Sequence, residues 1–285
     1  MRFFSPAKIN LFLRVLGRRL NGYHDLETLF ERISLGDEIF LTPTRSEISF
    51  HTDAENIPAG PSNLAWRAAT LLRDRYHVQK GVAIRLKKRI PVSAGLGGGS
   101  SNAATVLLGL NRLWKLNLPQ KKLLALAAEL GSDVPFFILN TPFAVGTGRG
   151  EILKKINRPK LKIWHCLVKP GFGISTKEAY QGLPPSFLTP QNGNVKMLLH
   201  SIQKGDSGRL TELLINSLEV SVNKRVKTIL KIKSELIRQG ALASLMSGSG
   251  SAVFGIFSSR QKADLAARFL KKKNKSWQVF VVSTY

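Results

Sequence analysis

Residues 91–101 read Pro91, Val92, Ser93, Ala94, Gly95, Leu96, Gly97, Gly98, Gly99, Ser100, Ser101. Ahead of them residues 82–90 alternate, with Val82, Ile84 and Leu86 against Arg85, Lys87 and Arg89, which predicts a strand. Behind them Ala103, Val106, Leu107, Leu110 and Leu113 have helical spacing, with Ser100 or Ser101 as the expected cap. In the order strand, glycine loop, helix, successive glycines let backbone N–H groups converge on phosphate oxygens, and the helix adds its positive end. Two familiar phosphate motifs are excluded. GxxxxGK[ST] needs a lysine after its last glycine, and the dinucleotide fingerprint needs an acidic residue about 20 positions on. From Gln79 to Ala128 there is no acidic residue at all, so the neighbourhood is electropositive.

Working outward, 285 residues with 43% hydrophobic content suffice for a large buried core. No window approaches 18 uninterrupted apolar residues, and Lys8 and Arg14 break the apolar N-terminus, so a cytoplasmic protein without a membrane partner is expected. The single cysteine, Cys166, falls in the strand-like run 161–168 and reads as a buried thiol. A net charge of +25 favours anionic ligands. Much of the excess is dispersed as single lysines such as Lys227, Lys231 and Lys233, with one cluster at residues 271–275, a solvated surface more than a nucleic-acid groove. The five histidines show no metal-ligand spacing, and no zinc site is expected.

Residues 8–16 alternate, placing Ile9, Leu11, Leu13 and Val15 opposite Lys8, Asn10, Phe12 and Arg14, a strand with one partly polar face. Asn21-Gly22 is a turn signal, and residues 35–41 and 47–51 read as strands. Helices are expected over 63–76 and 120–130. Gly131 to Pro135 then gives a helix stop and a new start, with Asp133 at the N-terminus of a short helix. The basic stretch 154–160 is the expected boundary between domains 1–155 and 156–285. Beyond it strands are expected at 163–168, 252–257 and 278–283, helices at 211–218, 226–239 and 260–271, and a long loop at 182–194. That alternation implies an α+β domain with helices on one face of an antiparallel sheet.

The glycine loop resembles the second motif of the GHMP kinase superfamily, which includes galactokinase, homoserine kinase and mevalonate kinase. Ser5-Pro-Ala-Lys-Ile-Asn-Leu11 looks like its first motif and Leu245-Met-Ser-Gly-Ser-Gly-Ser-Ala-Val-Phe254 like its third, so three motifs in order span nearly the whole chain. Gly22-Tyr23-His24 and Gly131-Ser-Asp-Val-Pro-Phe136 are similar to the branch that phosphorylates the 2-hydroxyl of a cytidine diphosphate-linked alcohol in non-mevalonate isoprenoid synthesis. Two departures stand out: Ser251-Ala252 where members often carry Pro-Thr, and Asn216-Ser217-Leu218-Glu219 where Asn-Asp-Leu-Glu is usual.

The resemblance implies a two-domain α+β architecture, an N-terminal domain like domain 2 of ribosomal protein S5 and a ferredoxin-like C-terminal domain, with the active site in the cleft between them. It implies ATP and Mg2+, the magnesium held mainly by phosphate and water with Ser100 or Ser101 adding an oxygen. Asp133 would accept the substrate hydroxyl proton or orient that hydroxyl, and Lys8 would neutralise charge between substrate and γ-phosphate. Asn10 would hydrogen-bond the substrate, and Gly248 and Ser249 of the third motif would line its site. Tyr23 and Tyr180 would stack on cytosine while His24 reads its edge; a half-exposed helical tyrosine is the other reading of Tyr180. Asn63 fits a contact near the adenine or a helix cap equally well. A monomer or weak homodimer is expected. The competing readings are a GHMP kinase for a sugar, homoserine or mevalonate-type alcohol, against which the Tyr23-His24 pair argues, and a nucleic-acid-binding protein of this fold, which has no use for Asp133.

Overall fold

The alternation over residues 8–16 belongs to a longer strand. In the computed structural model, which describes residues 1–20, 22–156, 161–184, 195–221 and 225–285, β1 spans Arg2–Arg18 and β2 spans His24–Thr44. In the turn joining them, Arg19 N–H donates to the Tyr23 carbonyl and Gly22 N–H to the Arg19 carbonyl. Gly22 has φ +83°, which glycine adopts without strain. Asn21 lies outside the described residues. From Ser5 to Leu13 every residue of β1 is buried, so the face carrying Lys8 and Asn10 is as covered as the one carrying Ile9 and Leu11.

The chain forms two compact units. One comprises Met1–Ala7, Leu35–Val92 and Gly97–Thr141, the other Lys8–Ser34, Ser93–Leu96 and Pro142–Tyr285. Compactness therefore does not divide the chain near residue 155, because β1, β2 and the glycine loop each contribute to both units.

In the first unit, β3 (Ile48–Thr52) pairs parallel with β4 (Gly81–Lys87), which pairs antiparallel with Glu38–Thr44 of β2. Between β3 and β4 in sequence lies α1 (Leu64–Arg75), followed by α2 (Gly98–Leu113), α3 (Gln120–Leu130) and α4 (Val134–Ile138). The buried stripe of α1 is Ala65, Ala68, Ala69 and Leu72, the spacing of one helix face. A Cβ on Gly109 of α2 would lie 2.5 Å from Leu41 Cδ1, so glycine lets α2 approach β2 closely.

In the second unit, β5 (Phe143–Thr147) pairs with Thr28–Glu31 of β2 and with β6 (Ile152–Lys155), which includes the start of the basic stretch; residues 157–160 lie outside the described residues. Next come β7 (Trp164–Lys169), α5 (Thr176–Gln181), α6 (Val195–Lys204), α7 (Ser207–Glu212) and β8 (Ile215–Asn216). The chain closes with α8 (Val226–Arg238), β9 (Ala243–Met246), β10 (Val253–Phe257), α9 (Arg260–Lys273) and β11 (Gln278–Ser283). The helix expected over 211–218 is absent: α7 stops at Glu212, β8 follows, and Ser217–Ser221 is a 3-10 turn. Of the expected loop 182–194, residues 185–194 lie outside the described residues.

An antiparallel sheet forms in the order β11, β7, β10, β9. Its register puts Val168 of β7 level with Val253 of β10 and Val279 of β11, with Cys166 two residues earlier on the same face of β7. Those side chains share one core with Ile229, Ile232 and Leu236 of α8 and Ala263, Ala266 and Leu270 of α9. Both helices thus cover one face of the sheet, as expected. Among the described residues no helix is long and apolar enough to cross a membrane.

Candidate active site

Three stretches far apart in sequence meet inside the second unit. Lys8 Nζ donates to Asn10 Oδ1 at 2.6 Å, and Asn10 Nδ2 donates to Thr28 Oγ1 at 2.7 Å, which in turn donates to the Phe12 carbonyl. Lys8 N–H also donates to the Leu96 carbonyl, which ties β1 to the glycine loop. From the third motif, Ser247 Oγ accepts the Asn10 N–H and donates to the Gly95 carbonyl at 3.0 Å. Ala252 N–H donates to the Ala94 carbonyl, and Ile174 N–H to that of Ser93. Two glycines permit this closeness: Gly95 has φ +74° and a Cβ there would run into the Ser247 carbonyl; Gly248 has φ +54° and its Cβ would lie 2.9 Å from Asn10 Oδ1 and 3.4 Å from Lys8 Nζ. Ser249, buried next to it, shares a hydrogen bond with Thr176 Oγ1 at 3.3 Å. Lys8 is 4% exposed, and its ammonium lies 5.5 Å from the centre of the Phe30 ring.

The rest of the glycine loop, with Pro91, Val92 and Gly97 to Ser101, belongs to the first unit. The cap of α2 is Gly97 in the left-handed conformation, φ 67°, and not Ser100 or Ser101. No side chain caps this helix start, and first-turn amides without a side-chain cap are a favourable setting for an anion. Ser101 is fully buried and shares a hydrogen bond with Ser5 Oγ at 2.8 Å, so of the two serines the half-buried Ser100 is the more accessible. Beneath the loop, fully buried Asp37 accepts the backbone N–H groups of Arg89 and Ile90, Nδ2 of Asn102 at 3.0 Å and Nζ of Lys88 at 2.8 Å. Burial pushes the Lys88 ammonium below the ordinary lysine value, and Asp37 opposes that shift. A Cβ on Gly98 would lie 3.2 Å from Lys88 Nζ, so this cation sits at the first residue of α2.

Asp133 occupies the cap position of α4, with Pro135 in the first turn, but its side chain does not cap the helix. Asn63 does cap α1: Oδ1 accepts the Ala65 N–H at 2.8 Å and Nδ2 donates to the Pro58 carbonyl at 2.9 Å. Capping accounts for Asn63 without an adenine contact. In the second unit, His24 stacks on Tyr180 with ring centres 5.1 Å apart and planes 27° apart, and the Arg149 guanidinium lies 5.0 Å from the centre of the Tyr23 ring. Burial, then the charge of Arg18, pushes the His24 imidazolium below its ordinary value. Among the described residues no group of three or more His, Cys, Asp or Glu is placed to hold a metal.

Lys88, Asp37, Thr28 and Arg149 escaped the sequence reading. Asp37 and Lys88 are 51 positions apart, and each alone reads as a charge at a strand end. Only the long acid-free tract around the loop hinted at a specific partner for Lys88.

Comparison with known proteins gives the same picture. The GHMP kinases N terminal domain matches residues 63–141, and GHMP kinases C terminal matches residues 198–276. The 4-diphosphocytidyl-2-C-methyl-D-erythritol kinase of Syntrophotalea carbinolica is 43% identical over 98% of this chain and 97% of its own length. The kinase of the same name from Bacillus pumilus is 44% identical over 90% of this chain and 88% of its own. A crystal structure of 4-(cytidine 5'-diphospho)-2C-methyl-D-erythritol kinase superimposes with a TM-score of 0.83 at 36% identity, covering 99% of both chains. Homoserine kinase from Cytophaga hutchinsonii shares the fold, with a TM-score of 0.76 at 18% identity over 100% of this chain and 94% of its own. With motif geometry, domain matches and full-length relatives in agreement, the chain belongs to the GHMP kinases and, within them, to the 4-diphosphocytidyl-2-C-methyl-D-erythritol kinase family.

Proposed function

We propose that this chain transfers the γ-phosphoryl group of ATP to the 2-hydroxyl of 4-diphosphocytidyl-2-C-methyl-D-erythritol, giving the 2-phosphate and ADP. The observation that carries this reading is the junction of Lys8 and Asn10 with Gly95 and with Ser247 and Gly248, which ties a buried cation to the glycine loop. The uncapped start of α2 holds the phosphates through backbone amides. Mg2+ brought with the ATP would offset phosphate charge, and Ser100 is the protein hydroxyl that would join the phosphate and water oxygens in holding it.

The acceptor oxygen bonds to the γ-phosphorus as the bond to the ADP oxygen breaks, and Asp133 takes the hydroxyl proton. A loose transition state asks little basicity of this carboxylate, so its main work is to aim the hydroxyl. Lys8 offsets the charge of the transferring group, with its Nζ held in place by Asn10. Tyr23, His24 and Tyr180 take the cytosine, His24 as a neutral ring able both to donate and to accept. We assign the second unit's sheet, ordered β11, β7, β10, β9 with α8 and α9 on one face, to the ferredoxin-like class, and the N-terminal part to the class of domain 2 of ribosomal protein S5.

An acceptor panel with ATP and magnesium tests the reading. The cytidylyl alcohol should be phosphorylated and should outcompete galactose, homoserine and mevalonate, with a phosphomonoester signal appearing by 31P NMR. Turnover of one of the other three in preference would assign a different branch of the superfamily.

A further inference from the structure

The turn of the third motif is gripped from behind by two side chains that the proposed chemistry does not use. Asn216, at the end of β8, donates from Nδ2 to the carbonyls of Met246 and Gly248, both at 2.8 Å, and accepts the Leu218 N–H on Oδ1 at 2.9 Å. Glu219 accepts the Met246 N–H on Oε1 at 2.7 Å, while Lys233 donates to Oε2 at 2.6 Å. Both backbone polar groups of Met246 and the carbonyl of Gly248 are thus fixed by one short segment. That segment is anchored in turn: Ile215 and Asn216 pair parallel with Phe12 and Leu13 of β1, and Ser217 Oγ accepts the Val15 N–H at 3.3 Å. Its Leu218 is fully buried.

On its other side the same turn meets the residues placed in the reaction. Ser247 Oγ joins the Asn10 N–H to the Gly95 carbonyl, and the Gly248 backbone is so close to Asn10 Oδ1 and Lys8 Nζ that no side chain fits. A shift of the turn by a fraction of an ångström therefore moves Asn10 or Gly95, or opens the contact with Lys8. We infer that Asn216, seconded by Glu219, is a positioning residue for phosphoryl transfer: it sets the 246–248 turn against Lys8, Asn10 and the glycine loop. This rests on the kinase reading proposed above for its link to turnover, though not for the geometry of the grip.

Asn216→Asp is the direct test. The change keeps the size of the side chain and the acceptor for Leu218 N–H, but sets a carboxylate oxygen against two carbonyl oxygens. In folded protein, kcat should fall about 10- to 100-fold, the range for partners that orient a reacting group, with little change in KM for ATP or acceptor. A residue that only stabilised the fold would lower the unfolding midpoint and leave the kcat of the folded fraction intact. Because both act through the same turn, Asn216→Asp combined with Ser247→Ala should be no slower than the worse single variant. Hydrogen exchange of the ligand-free protein should quicken across residues 246–248. Wild-type kcat in the folded variant, fully additive losses with Ser247→Ala, or unchanged exchange at the turn would each overturn the inference. If Asn216→Asp does not fold, Glu219→Ala, which at the turn frees the Met246 N–H alone and away from it releases Lys233, gives the same kinetic and exchange readouts. Should the wild type phosphorylate no alcohol, the kinase reading alone fails and the exchange measurement still decides the grip.

Discussion

Asp37 is a carboxylate with no solvent exposure, satisfied by two backbone N–H groups, an amide and an ammonium. In Asp37→Ala the Lys88 side chain, 11% exposed, loses its counter-ion. Breaking a buried pair from one side costs about 3–5 kcal/mol, and denaturant unfolding of the variant should show a loss of that size. A loss under about 1 kcal/mol, the surface-pair value, would mean the ammonium escapes to water. His24 supplies a pH signature. Its depressed pKa keeps the ring neutral to lower pH than an ordinary histidine, so the rise in KM for the cytidylyl substrate on acidification should be centred below 6.5. The unfolded chain takes up this proton first, so the stability His24 contributes is present above 6.5 and lost as the pH falls through the folded value. Arg18→Ala, which removes a cation that lowers the pKa, should move the rise in KM to higher pH. At this scale the positions of Lys8 and Asn10 on one buried strand and of Asp133 at the start of α4 were legible because each sits in a short local motif. Asp37, Lys88 and Asn216 were not, since each works through a partner dozens of positions away.

Elements with a regular apolar period were legible nearly to the residue. The helix over 120–130 is α3 with the same bounds, and 226–239 and 260–271 differ from α8 and α9 by a residue or two at one end. Elements whose form depends on neighbours were not. β8 is a strand of two residues that exists only by pairing with β1, and the local spacing of residues 211–218 suggested a helix there instead. The start of α2 was misplaced because a left-handed glycine, and not a serine hydroxyl, ends the loop, and periodicity says nothing about glycines. The central sheet position of β7 makes its own prediction. Cys166 lies between Gly255 and Val281 in that sheet, under α8 and α9, and burial pushes its thiol up to about 12. A thiol reagent at neutral pH should leave the native protein unlabelled and modify one site per chain after unfolding, as mass spectrometry would show. Rapid labelling of the native protein would contradict the packing of this sheet.

Across the whole molecule, the +25 charge is opposite in sign to the anionic reactants, which raises encounter rates without specifying a substrate. In the proposed reading, specificity comes from the sites: a backbone cradle at α2, a buried cation held by Asn10 beside Gly248, the rings of Tyr23, His24 and Tyr180, and the carboxylate of Asp133. In the proposed reading Asp133 divides a phosphotransferase from a protein that merely binds nucleotides. Asp133→Ala therefore tests the account most directly, with ATP affinity and phosphotransfer to the cytidylyl alcohol measured on the same preparation. The account predicts ATP affinity close to wild type and turnover reduced by about 100-fold or more, the usual contribution of a positioned base. Turnover equal to wild type in a variant that binds ATP normally would contradict it.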